Sequence, residues 1–366
     1  MVTVEEIFSF LQEVAPLDLA ENWDNVGVLA GSSSQKVKRV LLSLDITSAV
    51  CEEAASAEAD LLISHHPVIF HPLHSLRMDA ASAPVWQLAS KGISAICMHT
   101  NLDIATGGVN DVLLDVVGLQ KPVLLQPLGV DVYQKIVVFV PDEHLDNVRN
   151  AMASAGAGQY RNYDSCSFSS PGTGYFRPLV GTHPYMGETN RMESVNETRL
   201  EMVCREQDTP RIVQAMQAAH PYEVPAFDIF DDKGLGEPYG LGRVALTAKP
   251  EHIILFAKAI KKALKAPTVQ YHDSGKLVHK VAVCSGAWDR ELTPLAVQAG
   301  ADTILSGEIK HSDMLEIIEA GLNLVAAGHY ATEQPVCVAL RRKLEEAFPA
   351  VAFDLADSGK EPVQAI

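Results

Sequence analysis

Adjacent histidines close an apolar run at DLLISHHP, where His65 and His66 precede Pro67. A neutral imidazole is a good ligand for borderline divalent metals, and a buried one needs a partner for each ring nitrogen. The next apolar run, ISAICMHTNLD, ends with His99, Asn101 and Asp103, and a later one, LNLVAAGHYATEQP, ends with His329 and Glu333. The i, i+4 spacing puts His329 and Glu333 on one face of a helical turn. His65, His66, Asp103, His329 and Glu333 together offer three imidazoles and two carboxylates, enough for a two-metal centre with open coordination positions. Mixed imidazole and carboxylate donors suit Zn²⁺, Fe²⁺, Mn²⁺ or Co²⁺ without choosing among them. A lone HxxxE, or one carboxylate after a strand, has ordinary roles as a cap or turn residue. The convergence of three strand ends carries the metal reading.

Other polar residues are weaker candidates. His99, and Glu308 in SGEIKHSD, are the residues to move protons, with His311 nearby. Asp45, at the end of VLLSLD, either supports a ligand or caps the helix that starts after Thr47. Asn22, Trp23, Asp24 and Asn25 form a polar turn that either walls the metal cavity or packs as a loop under Trp23. His71 and His74 lie in a proline-bracketed loop and read as surface or substrate-channel residues. The GLG at 240–242 has neither GxGxxG nor Walker spacing, and no GxSxG occurs, so neither a phosphate loop nor a nucleophile elbow is supported.

The elements that must position these residues alternate. VLLSLDIT, DLLISHHP and ISAICMHT read as strands, with helices SAVCEEAASAEA, AASAPVWQLASKG and GGVNDVLLDVVG after them. Near-continuous aliphatic strands fit a parallel sheet covered on both faces. VALTA, KVAVCSGAW, ADTILSG and LNLVAAG repeat the pattern, and a closing helix leads to VAFDLA. The loops after parallel strands share one edge, where ligands bind. The middle differs. YQKIVVFVP, a helix over DEHLDNVRNAMASAG, a Gly-, Ser-, Tyr- and Pro-rich stretch of hairpins and loops over 160–190, RLEMVCRE, a helix over TPRIVQAMQAAHP, and VPAFDIF give a β-α-β-β-α-β order, a ferredoxin-like α+β domain. The expected organisation is an α/β body of two halves, 1–130 and 236–366, with 131–235 inserted.

At 366 residues the chain exceeds one ordinary domain. With 46 acidic against 29 basic residues, the net charge of −17 argues against a large nucleic-acid footprint or an anionic membrane surface. The six cysteines form no CxxC pair and sit mostly in apolar runs, as buried free thiols would. The start, MVTVEEIFSFLQEVAP, lacks the basic region of a signal peptide, and no apolar run approaches about 18 residues. The expected location is the cytoplasm.

The segments ENWDNVGVLAG at 21–31, DLLISHHP at 60–67, MHTNLDIATGGVND at 98–111 and GHYATE at 328–333 resemble the NIF-three-like family, whose members carry the name GTP cyclohydrolase 1 type 2 homolog. The resemblance covers essentially the whole chain. It implies a dinuclear site at His65, His66, Asp103, His329 and Glu333, and a toroidal homohexamer with the metals facing an internal cavity. The inserted segment, with AHPYEVPAFD at 219–228, resembles the PII-like or CutA-like domain of longer members. In SGEIKHSD, Ser312 stands where the family often has a second His, and in CSGAWD Trp288 adds bulk to a small-residue loop. The resemblance implies a metal-dependent hydrolase acting on a small, nucleotide-like molecule. Two alternatives are a protein that stores, senses or delivers metal without turnover, and a scaffold whose ring the metals stabilise.

Overall fold

The computed structural model describes residues 1–161 and 163–361. The chain divides into two compact units, one made of Met1–Leu128 and the chain from Tyr239 onward, the other of Gly129–Pro238.

The first unit begins with α1 (Val4–Val14), started by a capping box in which Thr3 and Glu6 each bond the other's backbone N–H. Then follow β1 (Gly27–Ala30), β2 (Arg39–Ser43), α2 (Ser48–Ser56), β3 (Leu61–Ser64), α3 (Ala83–Lys91), β4 (Ser94–Cys97), α4 (Thr100–Ile104), α5 (Val109–Val117) and β5 (Gln120–Val130). The second unit holds β6 (Tyr133–Pro141), α6 (Leu145–Ser154), β7 (Ser167–Phe176), β8 (Glu193–Arg205), α7 (Thr209–Ala219) and β9 (Phe227–Asp232). The first unit resumes with β10 (Pro238–Glu251), α8 (Ile253–Leu264), β11 (Gln270–His272), β12 (Val278–Ala287), α9 (Leu292–Gln298), β13 (Thr303–Glu308), α10 (His311–Glu319), β14 (Asn323–Ala326), α11 (His329–Glu333), α12 (Pro335–Ala347) and β15 (Ala352–Leu355).

Every residue of β3, β4 and β14 is buried, which is why their sequences show no polar alternation. One sheet runs β1-β4-β3-β2-β15 and the other β11-β14-β13-β12-β10-β5. The parallel expectation holds for β15, β2, β3 and β4, and for β12, β13 and β14. It fails at β10, which pairs antiparallel with β12, and the two short strands that no long apolar run marks, β1 and β11, also pair antiparallel. An apolar run marks a buried strand but carries no information about its direction.

The two halves of the body also exchange elements. β15 pairs with β2, and Val336, Leu340 and Leu344 of α12 join the core of the first sheet. Conversely, Leu113 and Leu114 of α5 join the core of the second sheet, and β5 extends that sheet. Neither half can therefore complete its core alone.

The second unit is a four-stranded antiparallel sheet in the order β7-β8-β6-β9, with α6 and α7 sharing its apolar core. Relative to chain order this is 2-3-1-4, the ferredoxin-like arrangement. The stretch expected as hairpins and loops contains a ten-residue strand, β7, whose Ser, Gly and Pro residues are tolerated because it lies at the sheet edge. Among the described residues, no helix is long and apolar enough to cross a membrane. All six cysteines are free and five are buried, but Cys166, expected to be buried, is exposed.

Candidate metal centre

In-register pairing sets the site. Ser43, Ser64 and Cys97 are level across β2, β3 and β4, so Asp45, His65, His66 and His99 leave one sheet edge together. Cys284, Ser306 and Ala326 are likewise level across β12, β13 and β14, so Gly286, Glu308 and His329 leave the edge of the other sheet. Carboxyl ends of parallel strands are where open α/β sheets bind ligands.

The side chains expected as ligands converge there. His65 is buried, and its Nδ1–H donates to the Met98 carbonyl at 2.8 Å, which fixes the tautomer and leaves Nε2 bare. Burial holds this imidazole down to about 4, so it is neutral at pH 7. Its Nε2 lies 3.7 Å from Asp103 Oδ1 and 3.9 Å from Glu333 Oε1, with no hydrogen bond to either. His66 donates from Nδ1 to Asp45 at 2.8 Å and turns Nε2 towards Glu333 Oε2 at 3.1 Å. His329 Nε2 lies 3.0 Å from the same oxygen. Burial lowers His66, but the Asp45 and Glu333 carboxylates outweigh it and push it up to about 10; Glu333 and Glu308 raise His329 to about 9. Burial opposes the charge on Glu333, yet the imidazoles of His329 and His66 hold its carboxyl below the usual range. Asp103 is driven up by burial and by the facing Glu333 carboxylate.

Among the described residues, three groups of donor atoms lie within 4.8 Å of one another: His65, Asp103 and Glu333; His66, His329 and Glu333; and His65, His66 and His99. Each could hold a metal ion, and Glu333 is common to two of them. The buried His65 Nε2 and Glu333 Oε2 both lack a hydrogen bond, even with ring nitrogens about 3 Å from the latter. Their lone pairs converge on the same small space, which is the arrangement a cation resolves and a hydrogen-bond network does not.

Small residues make room for that carboxylate. Gly286 has φ +61°, and a Cβ there would sit 1.9 Å from Glu333 Oε1. A Cβ on Gly307 would meet Gly286 O and Thr332 Oγ1 at 2.5 Å. Trp288 does not crowd the loop; it is buried in the neighbouring core with its indole N–H on Thr293 at 3.0 Å. CSG and SGE both stand at strand exits, so the small-residue character of the loop was legible in the sequence, but its fit to Glu333 was not.

Asp24 resolves the turn at 22–25. It is the carboxylate, not Trp23, that is buried: Trp23 is 60% exposed. Asp24 accepts from His99 Nδ1 at 2.8 Å and from the Thr100 backbone N–H at 3.0 Å. Burial opposes its charge, but these donors hold its carboxyl at about 2. His99 is thereby oriented with its other nitrogen free for the cluster. Trp23 and Phe70 pack edge-on at 5.9 Å, and both approach the His99 ring. Asp45 proves to be the partner of His66, while Thr47 caps α2. Glu308 sits at the rim, 64% exposed, 3.2 Å from His329 Nδ1. His71, His74 and His311 are exposed, and none belongs to the donor groups among the described residues.

A buried brace joins the halves beside Asp103. Asn110 donates to the Asp103 carbonyl at 3.1 Å and accepts from the Ser285 N–H at 2.9 Å. Arg243 forks onto both oxygens of Asp111 at 2.7 Å.

A family model described as Duf34/NIF3 (NGG1p interacting factor 3) matches residues 2–362. The chain belongs to the Duf34/NIF3 family. Among its relatives is the GTP cyclohydrolase 1 type 2 homolog of Halalkalibacterium halodurans, 37% identical over 352 residues, covering 96% of this chain and 94% of that one. The Bacillus subtilis protein of the same name is 35% identical over 332 residues, with 90% and 89% coverage. A solved Bacillus cereus structure related to NIF3 matches with TM-score 0.84 and 32% identity over 100% of this chain and 99% of that one. The NIF3 fold thus extends across both units, the inserted one included.

Proposed function

We propose that this NIF3 protein binds two divalent cations and is a metal-dependent hydrolase of a small, nucleotide-like substrate. One cation is assigned to His65, Asp103 and Glu333, and the other to His66, His329 and Glu333. The observation that carries this is the shared Glu333 carboxylate, buried among three imidazoles with Oε2 left without a hydrogen bond. The donor set fits Zn²⁺, Fe²⁺ or Mn²⁺. When bound, such a pair supplies Lewis-acid activation of water and of the bond under attack.

The chain's own residues supply the rest. His65 and His66 are locked as Nε2 ligands by Met98 O and Asp45. Asp24 holds His99 in one orientation, so that its free nitrogen can accept or return a proton at the cluster. Glu308 orients His329 from the solvent side and offers a second exposed base. Trp23 and Phe70 present aromatic surface beside His99, suited to packing against a planar ring such as a nucleobase. Family resemblance further supports a homohexamer, which sedimentation velocity checks.

The test is metal content by plasma emission, with hydrolysis of GTP and related nucleotides assayed beside it. The expected result is two equivalents per chain, lost in His66→Ala with Glu333→Ala, and hydrolysis that follows metal content. Full metal occupancy without turnover on any nucleotide would remove the hydrolase reading and leave a metal-handling protein. Absence of metal after supplementation would remove both.

A further inference from the structure

The inserted unit contains a cavity of about 580 Å³, a size that suits a small organic ligand. Its lining comes from β6, β7, β8, the segment between β7 and β8 that carries Tyr185, and the AHPYEVPAFD segment, none of which the metal chemistry uses. The Tyr222 ring stands 6.0 Å from Phe176 and 6.2 Å from Tyr185, so aromatic rings form much of the wall. Among them lies Glu197, only 9% exposed. Tyr222 O–H donates to its Oε1 at 2.8 Å, and no hydrogen bond reaches its Oε2 among the described residues.

Two further observations bear on what fits. A Cβ on Gly174 would lie 2.1 Å from Glu197 Oε2, although the glycine sits in ordinary strand conformation. The small residue is therefore needed for space, and the space is taken by the carboxylate. The second is the charge balance. Arg199, the guanidinium of the lining, is already bonded to Glu201 at 2.8 Å, while Glu223 adds another carboxylate. A carboxylate held by a single O–H is poorly compensated, and the aromatic rings that share the lining carry negative potential on their faces. Both features repel phosphates and carboxylic acids and attract a cation with an apolar body.

We propose that this cavity binds a small organic cation, an amine or guanidinium on an apolar body, with its charge on Glu197 and its body among Phe176, Tyr185 and Tyr222. None of the lining residues is among the donors of the metal centre.

Three probes of equal size and different charge test it on the full chain: benzylamine, benzyl alcohol and benzoate, followed by tyrosine fluorescence and calorimetry at neutral pH. Benzylamine should bind at least about tenfold tighter than benzyl alcohol, with benzoate weakest. Glu197→Gln should erase the difference while benzyl alcohol binding persists, and Gly174→Ala should weaken benzylamine by displacing the carboxylate. Circular dichroism checks that both variants are folded. Equal binding of the three probes, no saturable benzylamine binding at millimolar concentration, or an unchanged preference in Glu197→Gln would overturn the proposal. So would sedimentation showing a self-association that Tyr175→Asp abolishes and benzylamine leaves untouched, since a second copy would then cover the cavity.

Discussion

The histidine cluster and the cavity of the inserted unit both hold a buried glutamate, and they surround it in opposite ways. Glu333 is faced by imidazole nitrogens that leave the carboxyl ends of parallel strands, from both halves of one unit. Glu197, on an antiparallel sheet, is held by the O–H of Tyr222, whose ring packs near Phe176 and Tyr185. Directed lone pairs at short range select a compact inorganic cation, whereas diffuse ring faces favour an organic one. Each carboxylate lies against a glycine, Gly286 and Gly174 respectively, because a branched backbone neighbour would occupy its place. The ligand class follows from what surrounds the acid, not from the acid itself.

The sharpest break in that comparison is Glu333→Ala. It removes the donor common to two groups, so retained metal should fall from the proposed two equivalents to essentially none by plasma emission, while probe binding to the inserted unit is unchanged. Retention of one tight equivalent would show that the donor groups are independent.

Asp111→Ala comes next. It leaves the Arg243 guanidinium buried without its fork, which should cost about 3–5 kcal/mol in denaturant unfolding of the first unit. A loss under about 1 kcal/mol would mean that water or backbone carbonyls compensate.

Gly286→Ala should act on the cluster with a smaller effect on folding. The positive φ costs about 1 kcal/mol, and displacement of Glu333 should weaken metal affinity at least about tenfold in competition with a chelator. Unchanged affinity would show that the carboxylate has another way to reach its place.

The smallest effect is a pH dependence confined to the inserted unit. His220 donates from Nε2 to the Phe139 carbonyl at 3.0 Å and accepts from the Tyr222 N–H on Nδ1 at 3.0 Å, so its folded form is neutral. Burial lowers its pKa, partly offset by the Phe139 carbonyl and Glu197. The unfolded chain then binds the proton more readily. Stability from this group is present above the unfolded value of about 6.5 and is lost as pH falls from there towards the folded value. Amide exchange in α7 should speed up relative to the first unit as pH drops through that window, once corrected for intrinsic rates. His220→Gln should flatten the difference.

The apolar runs LLIS, SAIC and NLVA were readable as buried strands because burial on both faces leaves no other composition. Their polar ends identified His65, His66, Asp103, His329 and Glu333, since a strand end is where side chains leave a sheet. The roles of Asp24 and Asp45 stayed open in the sequence, because a carboxylate in a turn looks the same whether it caps a helix or holds an imidazole. β7 was legible only as part of a stretch of hairpins and loops, since its Ser, Gly and Pro residues fit a turn as well as an edge strand, and its extent is set by pairing with β8.

By itself, then, the sequence determined which residues leave strands, and hence which donors exist and the α/β class that carries them. It also determined family membership, through motifs spread along the chain. Tertiary structure alone decided that β15 and α12 cross to the first sheet and α5 to the second, which brings His329 and Glu333 against His65, His66 and Asp103. It alone placed a carboxylate among the rings of the inserted unit. Periodicity records how each segment meets solvent, but a site depends on which segments meet one another, and that is set by packing between residues hundreds of positions apart.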